Sequence, residues 1–178
     1  GPVAATFIAP PRTIADITAI LDNEKPDAAK IKERQDDANA EPPKGASRSD
    51  LAEFYYDRGN ARALLARDVE ALADGLKALE STSGQREVAR VLNFVGQQYG
   101  AIGNWKKAIE AWQKAANGAG IASGARGSFI AVGRQIATAM VMIGDVSQAD
   151  AYARQTSTRV VELRGNLKPD TQARYRLH

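Results

Sequence analysis

Small, aromatic and glycine residues recur at matching positions in three consecutive stretches of this sequence. The middle stretch carries the complete pattern, at Leu92, Val95, Gly96, Tyr99, Gly103, Ala108, Trp112 and Ala115. The downstream stretch repeats most of it, at Ile136, Ala137, Met140, Gly144, Ala149 and Ala153, with Thr156 where the middle stretch has alanine. A repeat of this length predicts a stack of similar units, because one unit alone cannot bury its apolar face.

The upstream stretch is a weaker copy of the same pattern. It matches at Tyr55, Gly59, Ala71 and Ala78. It departs from the pattern at Arg62, Ala66 and Gly75, where an aromatic, a glycine and an aromatic are expected. Successive units begin 37 and 41 residues apart, which places the extra residues in two connections, at 81–84 and 118–127.

Helix-forming residues dominate the periodic stretches, and no sustained alternation of apolar and polar residues indicates a strand. Ala, Leu, Glu, Lys, Arg and Gln lose little side-chain entropy in a helix, so the fold class is predicted to be all-α. We predict helices over residues 12–22, 26–40, 50–66, 68–81, 85–101, 104–117, 126–143, 145–163 and 168–177. Asp50 and Glu53 resemble a capping box that opens a helix at Leu51. Short turns predict that neighbouring helices form antiparallel pairs.

The repeated pattern resembles the tetratricopeptide repeat (TPR), a family of paired antiparallel helices. The resemblance implies that Gly96 and Ala108 are small because the two helices of a unit approach closely there. It also implies that Tyr99 and Trp112 fill the space between helices and that Gly103 makes the turn. The expected architecture is an α-α superhelix, a solenoid of about three helical hairpins with flanking capping helices.

The TPR resemblance also implies a domain organisation. We predict one TPR-like domain over residues 12–178, preceded by an extended or disordered tail at 1–11 in which Gly1-Pro2 looks like a tag remnant. The ranges within this domain are a degenerate hairpin or cap at 12–40, repeats at 52–84, 89–122 and 130–163, and a capping helix at 168–178.

Two short segments, residues 11–17 and 54–61, are also similar to TPR regions that precede caspase-like CHAT domains in bacterial proteins. This similarity implies an alternative role as the regulatory region of a larger enzyme such as a CHAT-domain protease. No Cys/His dyad lies in these residues, so no protease chemistry carries over.

In TPR proteins the first helices of the hairpins line a concave face that usually holds a peptide or a helix of a partner. The positions that map to this face are Tyr56, Asn60, Leu64, Arg90, Asn93, Gln97, Arg134, Thr138 and Val141. Asn and Gln can hydrogen-bond an extended backbone and Arg can pair with carboxylates, but each residue can equally belong to an ordinary hydrated surface. Of the five positions of the TPR carboxylate clamp only Asn60 matches, so capture of chaperone tails is not expected.

The aromatic residues divide between core and surface in this interpretation. Trp112 is predicted to lie in the core, and Trp105 to pack between repeats or, less favourably, to form a binding hot spot. Phe54, Tyr55 and Tyr56 are consecutive, so they cannot all face one side of a helix.

Composition excludes several classes of chemistry. The chain has 178 residues, no cysteine and a single histidine, His178, so thiol nucleophiles, disulfides and multi-histidine metal sites are excluded. No apolar run approaches the roughly 20 residues of a membrane span. The glycines at 118, 120 and 124 lack the spacing of a phosphate loop. We therefore predict no catalytic residue, cofactor or metal, and a non-catalytic protein-interaction scaffold.

Charge is distributed unevenly along the chain. Residues 1–83 carry a net charge of −4 and residues 84–178 carry +7. A basic half can attract acidic surfaces or nucleic acid, although singly scattered arginines favour a solvated surface. Self-association through exposed solenoid ends is a further possibility. The expected location is the bacterial cytoplasm, or the periplasm if an export signal precedes this start.

Overall fold

The computed structural model describes residues 13–23, 27–119 and 126–163, and this part of the chain is built from helices without strands. The helices are α1 (Ile14–Asn23), α2 (Ala28–Asn39), α3 (Arg48–Leu64), α4 (Asp68–Ser81), α5 (Gln85–Ala101), α6 (Trp105–Ala119), α7 (Arg126–Met142) and α8 (Val146–Leu163). The all-α prediction is confirmed, with each of these helices within two residues of its predicted bounds. The predicted helix at 168–177 and the predicted tail at 1–11 lie outside the described residues.

The chain divides into two compact units, residues 1–33 and 34–178. Within the first, Asp27 caps α2: its carboxylate accepts hydrogen bonds from the backbone N–H groups of Ala29 (3.1 Å) and Lys30 (3.2 Å). The second unit contains the end of α2 and helices α3–α8. In it α3 pairs with α4, α5 with α6 and α7 with α8, while α4 packs on α5 and α6 on α7. This succession of three hairpins is the architecture that the repeats predict.

Each hairpin turn ends its first helix in the same way. In the second hairpin the N–H of Asn104 donates to the carbonyl of Tyr99 (2.8 Å) and that of Gly103 to the carbonyl of Gly100 (2.9 Å). This pair of bonds is the Schellman motif, which requires a left-handed residue at its centre. That residue is Gly103 (φ 78°), Gly144 (φ 83°) in the third hairpin and Ala66 (φ 56°) in the first.

The start of α3 corrects one prediction. The helix begins at Arg48, three residues before Leu51, and Ser47 is its N-cap. The Ser47 hydroxyl accepts a hydrogen bond from the Asp50 N–H at 3.2 Å and donates to the Asp50 carboxylate at 2.7 Å. The reciprocal pair is therefore Ser47 and Asp50, and Glu53 is free for a different contact described below.

The core is a strip shared between neighbouring hairpins. Its larger cluster comprises Ala108, Ile109, Trp112, Ala116, Val132, Ile136, Ala139, Met140 and Ala149. Trp112 is only 4% exposed, and a Cβ on Gly96 would lie 2.4 Å from its Nε1, so glycine is required at that crossing. Trp105 is half-buried and packs against the same cluster, as inter-repeat packing predicts. The core role of Trp112 is confirmed.

The residues of the first repeat that depart from the pattern are explained by contacts with other helices or by the backbone of the turn. A Cβ on Gly59 or on Gly75 would lie 3.0 Å from the ring of Phe94, which α5 inserts between α3 and α4. Gly75 therefore occupies an aromatic position of the repeat because a neighbouring helix supplies the ring. Ala66 takes the left-handed conformation that glycine adopts in the other two turns.

Arg62, the third departure, belongs to a buried ion network that holds the end of α2. Asp74 is 1% exposed and accepts hydrogen bonds from Arg58 (2.8 and 2.9 Å) and from Arg62 (2.7 Å). The two guanidinium groups also donate to the backbone carbonyls of Ala40 (2.8 Å) and Ala38 (2.9 Å). The hydrogen bond to Asp74 raises the pKa of Arg58. The network satisfies carbonyls that the end of a helix leaves unpaired.

Candidate partner-binding face

The predicted binding residues lie on the first helix of each hairpin. Arg90, Asn93 and Gln97 are spaced by three and four residues on α5, so they share one side of that helix. Equivalent sets lie on α3 and on α7. We call the exposed side of α3, α5 and α7 that carries the nine predicted residues the first-helix face.

Exposure differs among the nine residues. Gln97, Arg134 and Thr138 are exposed, and Leu64 and Val141 are exposed apolar residues. Arg90 is also exposed, whereas Tyr56, Asn60 and Asn93 are half-buried. The contacts of these four residues follow.

Two of the predicted residues, Tyr56 and Arg90, meet on this face. The guanidinium carbon of Arg90 lies 4.1 Å from the centroid of the Tyr56 ring. Arg90 also donates to both carboxylate oxygens of Glu53, at 2.5 and 3.3 Å. This hydrogen bond raises the pKa of Arg90. The contact joins α3 to α5.

Glu53 is the functional candidate that the sequence analysis missed. It stands 37 residues before Arg90, which is the spacing of the first two repeats, so the two residues hold equivalent positions in successive hairpins. This ion pair could therefore be predicted from the sequence, because it places opposite charges at equivalent positions of adjacent repeats. The prediction that Glu53 belongs to a capping box assigned it a different partner.

The Tyr56 ring also packs against the ring of Phe94. Tyr56 and Phe94 make an edge-to-face contact with centroids 5.5 Å apart and planes at 63°. Tyr55 packs on the core instead, and Phe54 meets Tyr55 edge-on at 5.5 Å. The three consecutive aromatics therefore do not face one side, and Tyr56 is the one that contacts Arg90.

The amide side chains of the face differ in what they can offer a ligand. The Asn60 Nδ2 donates to the Tyr56 carbonyl of its own helix at 2.7 Å, so part of its donor capacity is used. Asn93 has a buried Oδ1 without a hydrogen-bond partner among the described residues. Its backbone carbonyl accepts from the indole N–H of Trp112 at 3.2 Å. A buried acceptor without a donor costs about 1–3 kcal/mol, so this oxygen lowers stability and is not itself exposed to a ligand.

The charge of the face changes from one helix to the next. Glu53 and Asp57 lie on α3, and burial followed by repulsion from Glu53 raises the pKa of Asp57, with a smaller contribution from Asp37. Arg86 and Arg134, on α5 and α7, are exposed. Neither forms an ion pair within the ranges described. The face is therefore acidic at α3 and basic on α5 and α7.

The described parts of the chain contain neither a metal site nor a membrane-spanning helix. No group of three or more His, Asp or Glu side chains there is arranged to hold a metal ion. None of the helices described is both long and apolar enough to cross a membrane.

Two solved structures of MamA, a TPR-containing protein, resemble this chain in three dimensions. The first shares 22% sequence identity, covers 62% of this chain and 59% of its own, and has a TM-score of 0.51. The second shares 22% identity, covers 64% of this chain and 57% of its own, and has a TM-score of 0.53. This chain thus spans less than two thirds of the length of the MamA chains it matches.

Comparison by sequence adds no further relative. No protein-family model matches the chain. No curated protein matches it either. The similarity to MamA, together with the three hairpins, shows that the chain has an all-helical, TPR-like solenoid fold.

Proposed function

We propose that this chain is a non-catalytic scaffold that binds a peptide or a helix of a partner protein on its first-helix face. The supporting observation is the arrangement around Arg90, where Tyr56, which packs on Phe94, holds the guanidinium in place at the surface. Side chains that are already positioned lose little conformational entropy when a ligand binds. Such a face suits recognition of a preformed or extended segment.

The chemistry of the face supports the same function. Gln97 and Thr138 are exposed polar residues, while Leu64 and Val141 are exposed apolar residues. A mixture of hydrogen-bonding and apolar groups can hold a peptide backbone and its side chains together. A regulatory role beside a CHAT-type enzyme remains compatible with this function, since the scaffold would then act within a larger chain.

The test begins with a partner recovered from the source cells by pull-down and identified by mass spectrometry. Its affinity is then measured for the wild-type chain and for the double variant Asn93→Ala, Arg134→Ala. We expect a loss of about tenfold or more, since a hydrogen bond and a charge-assisted contact are removed. Circular dichroism should show unchanged helicity, because Arg134 is exposed and Asn93 is half-buried.

A matched control separates the face from the general effect of charge. Asp150 and Arg154 form an exposed ion pair on α8, outside the first-helix face. The variant Arg154→Ala should bind the partner as the wild type does. Equal affinity of the wild type and the face double variant would refute the proposed function. Tighter binding to DNA than to any protein at low salt would favour the nucleic-acid alternative instead.

A further inference from the structure

We infer that the first-helix face recognises a segment rich in carboxylates, and that Glu53 occupies the place of one partner carboxylate until that segment binds. The inference rests on the proposed function and names the chemistry of its ligand. It follows from the surroundings of Arg90 and from the distribution of charge on α5 and α7.

The Glu53–Arg90 ion pair is suited to exchange. The side chains are 55% and 41% exposed, so water screens their attraction. Exposed pairs of this kind contribute little to stability. A carboxylate from another chain can therefore replace that of Glu53 at small cost, and the outgoing Glu53 side chain is already at the surface.

Tyr56 keeps Arg90 in position during such an exchange. Its ring lies under the guanidinium at 4.1 Å and is itself braced by Phe94. A cation held over an aromatic face retains this attraction when its ion-pair partner leaves. The guanidinium then presents its paired N–H groups to a new carboxylate, the geometry that favours Arg over Lys for such contacts.

The remaining charges give the ligand a direction. Arg86 on α5 and Arg134 on α7 are exposed and form no ion pair in the part of the chain that the structure describes. Asp57 lies within electrostatic reach of both Glu53 and Asp37, so the negative charge at this end of the face repels an acidic segment. A carboxylate-rich segment therefore binds from Arg90 toward α7 and away from α2. The net charge of +7 over residues 84–178 also attracts an acidic segment toward this half of the chain.

The inference is tested with three short peptides of equal length, acetylated and amidated, that are rich in glutamate, glutamine or lysine. Binding to the full chain is followed by fluorescence anisotropy or calorimetry. We expect the glutamate peptide to bind most tightly. Arg90→Gln should weaken that binding about three- to fivefold, and Glu53→Gln should strengthen it about twofold because the internal competitor is removed.

A charge-matched control isolates the competition. Asp150→Asn removes one negative charge, as Glu53→Gln does, but from an ion pair on α8. It should leave the affinity for the glutamate peptide unchanged. Glu53→Ala provides a second variant that also frees Arg90 and should strengthen binding in the same way. The inference is overturned if the glutamate peptide binds no better than the glutamine peptide, or if the Glu53 variants bind no more tightly than Asp150→Asn.

These outcomes are distinguishable from failure of the proposed function. If an identified partner loses affinity for the Asn93, Arg134 double variant while the Glu53 variants change nothing, the face binds a ligand of different chemistry. If the partner binds that double variant normally, the face itself is not the binding surface. The first result therefore rejects the carboxylate-rich ligand, and the second rejects the proposed function.

Discussion

Replacing Ala66 by glycine should stabilise this protein, although glycine usually weakens helical proteins. Ala66 has φ 56°, in the turn where the other two hairpins have Gly103 and Gly144. A residue with a Cβ is about 1–2 kcal/mol less stable than glycine in this conformation. About 0.4–1 kcal/mol of this stabilisation is lost, because glycine has more conformational entropy than alanine in the unfolded chain. We expect a net increase of about 0.5–1 kcal/mol in the free energy of unfolding.

Urea unfolding followed by circular dichroism measures this change. For a chain of this size, 1 kcal/mol corresponds to roughly 2–4 °C in melting temperature, so thermal unfolding provides a second reading. Gly103→Ala should lower stability by a similar amount, because a Cβ there would contact nothing within 4 Å and only the backbone is strained.

The control makes the same chemical change in an ordinary helix. Ala73 is an exposed residue inside α4, where Ala→Gly should destabilise by about 1 kcal/mol. Ala66→Gly and Ala73→Gly should therefore change stability in opposite directions. If both variants are destabilised equally, Ala66 does not occupy the left-handed conformation and the reasoning is refuted.

Three further predictions concern close packing, the buried ions and pH. Gly96→Ala should destabilise by about 1–3 kcal/mol in urea unfolding, because its Cβ would lie 2.4 Å from the Trp112 Nε1. Asp74→Asn should cost about 3–5 kcal/mol by the same measurement, since Arg58 would keep a buried charge without its counter-ion. Asp57→Asn should be more stable than wild type at neutral pH: its raised pKa means that ionisation weakens the fold. That advantage should disappear in unfolding experiments below the ordinary carboxyl pKa of 3.8.

Controls for these variants come from the same chain. Gly84→Ala should cost clearly less than Gly96→Ala, because the atoms nearest its Cβ would be those of the movable Glu87 side chain and only the preference of an N-cap for glycine over alanine is lost. Asp150→Asn removes an exposed ion-pair partner and should change stability by less than about 0.5 kcal/mol. The packing argument is contradicted if Gly96→Ala is as stable as Gly84→Ala. The buried-ion argument is contradicted if Asp74→Asn is as stable as Asp150→Asn. The pH argument is contradicted if the effect of Asp57→Asn on stability does not change with pH.

The hairpins could be predicted because their determinants are local. Gly96 meets Trp112 within one unit, and the turn at Gly103 depends on its own backbone. The departures of the first repeat could not be explained in this way. Gly75 depends on a ring from another hairpin, and Arg62 depends on a carbonyl of α2.

The candidate face was predictable only as a set of positions. Helical periodicity places Arg90, Asn93 and Gln97 on one side of α5. Periodicity within a helix cannot show which side chains of different helices meet. The Glu53–Arg90 contact arises from the stacking of two hairpins, so it required comparison of equivalent positions between repeats.

Phe94 has a consequence for how this solenoid could be rebuilt. Its ring is 2% exposed and sits against Gly59 and Gly75, so the second hairpin supplies the interior of the first. The hairpins are therefore not interchangeable modules: a duplicated middle hairpin inserted directly before α5 would present Gly96 and Trp112 where Phe94 needs two glycines. Engineers who lengthen or shuffle this array should cut after α6 and keep α3 to α6 as one inseparable block.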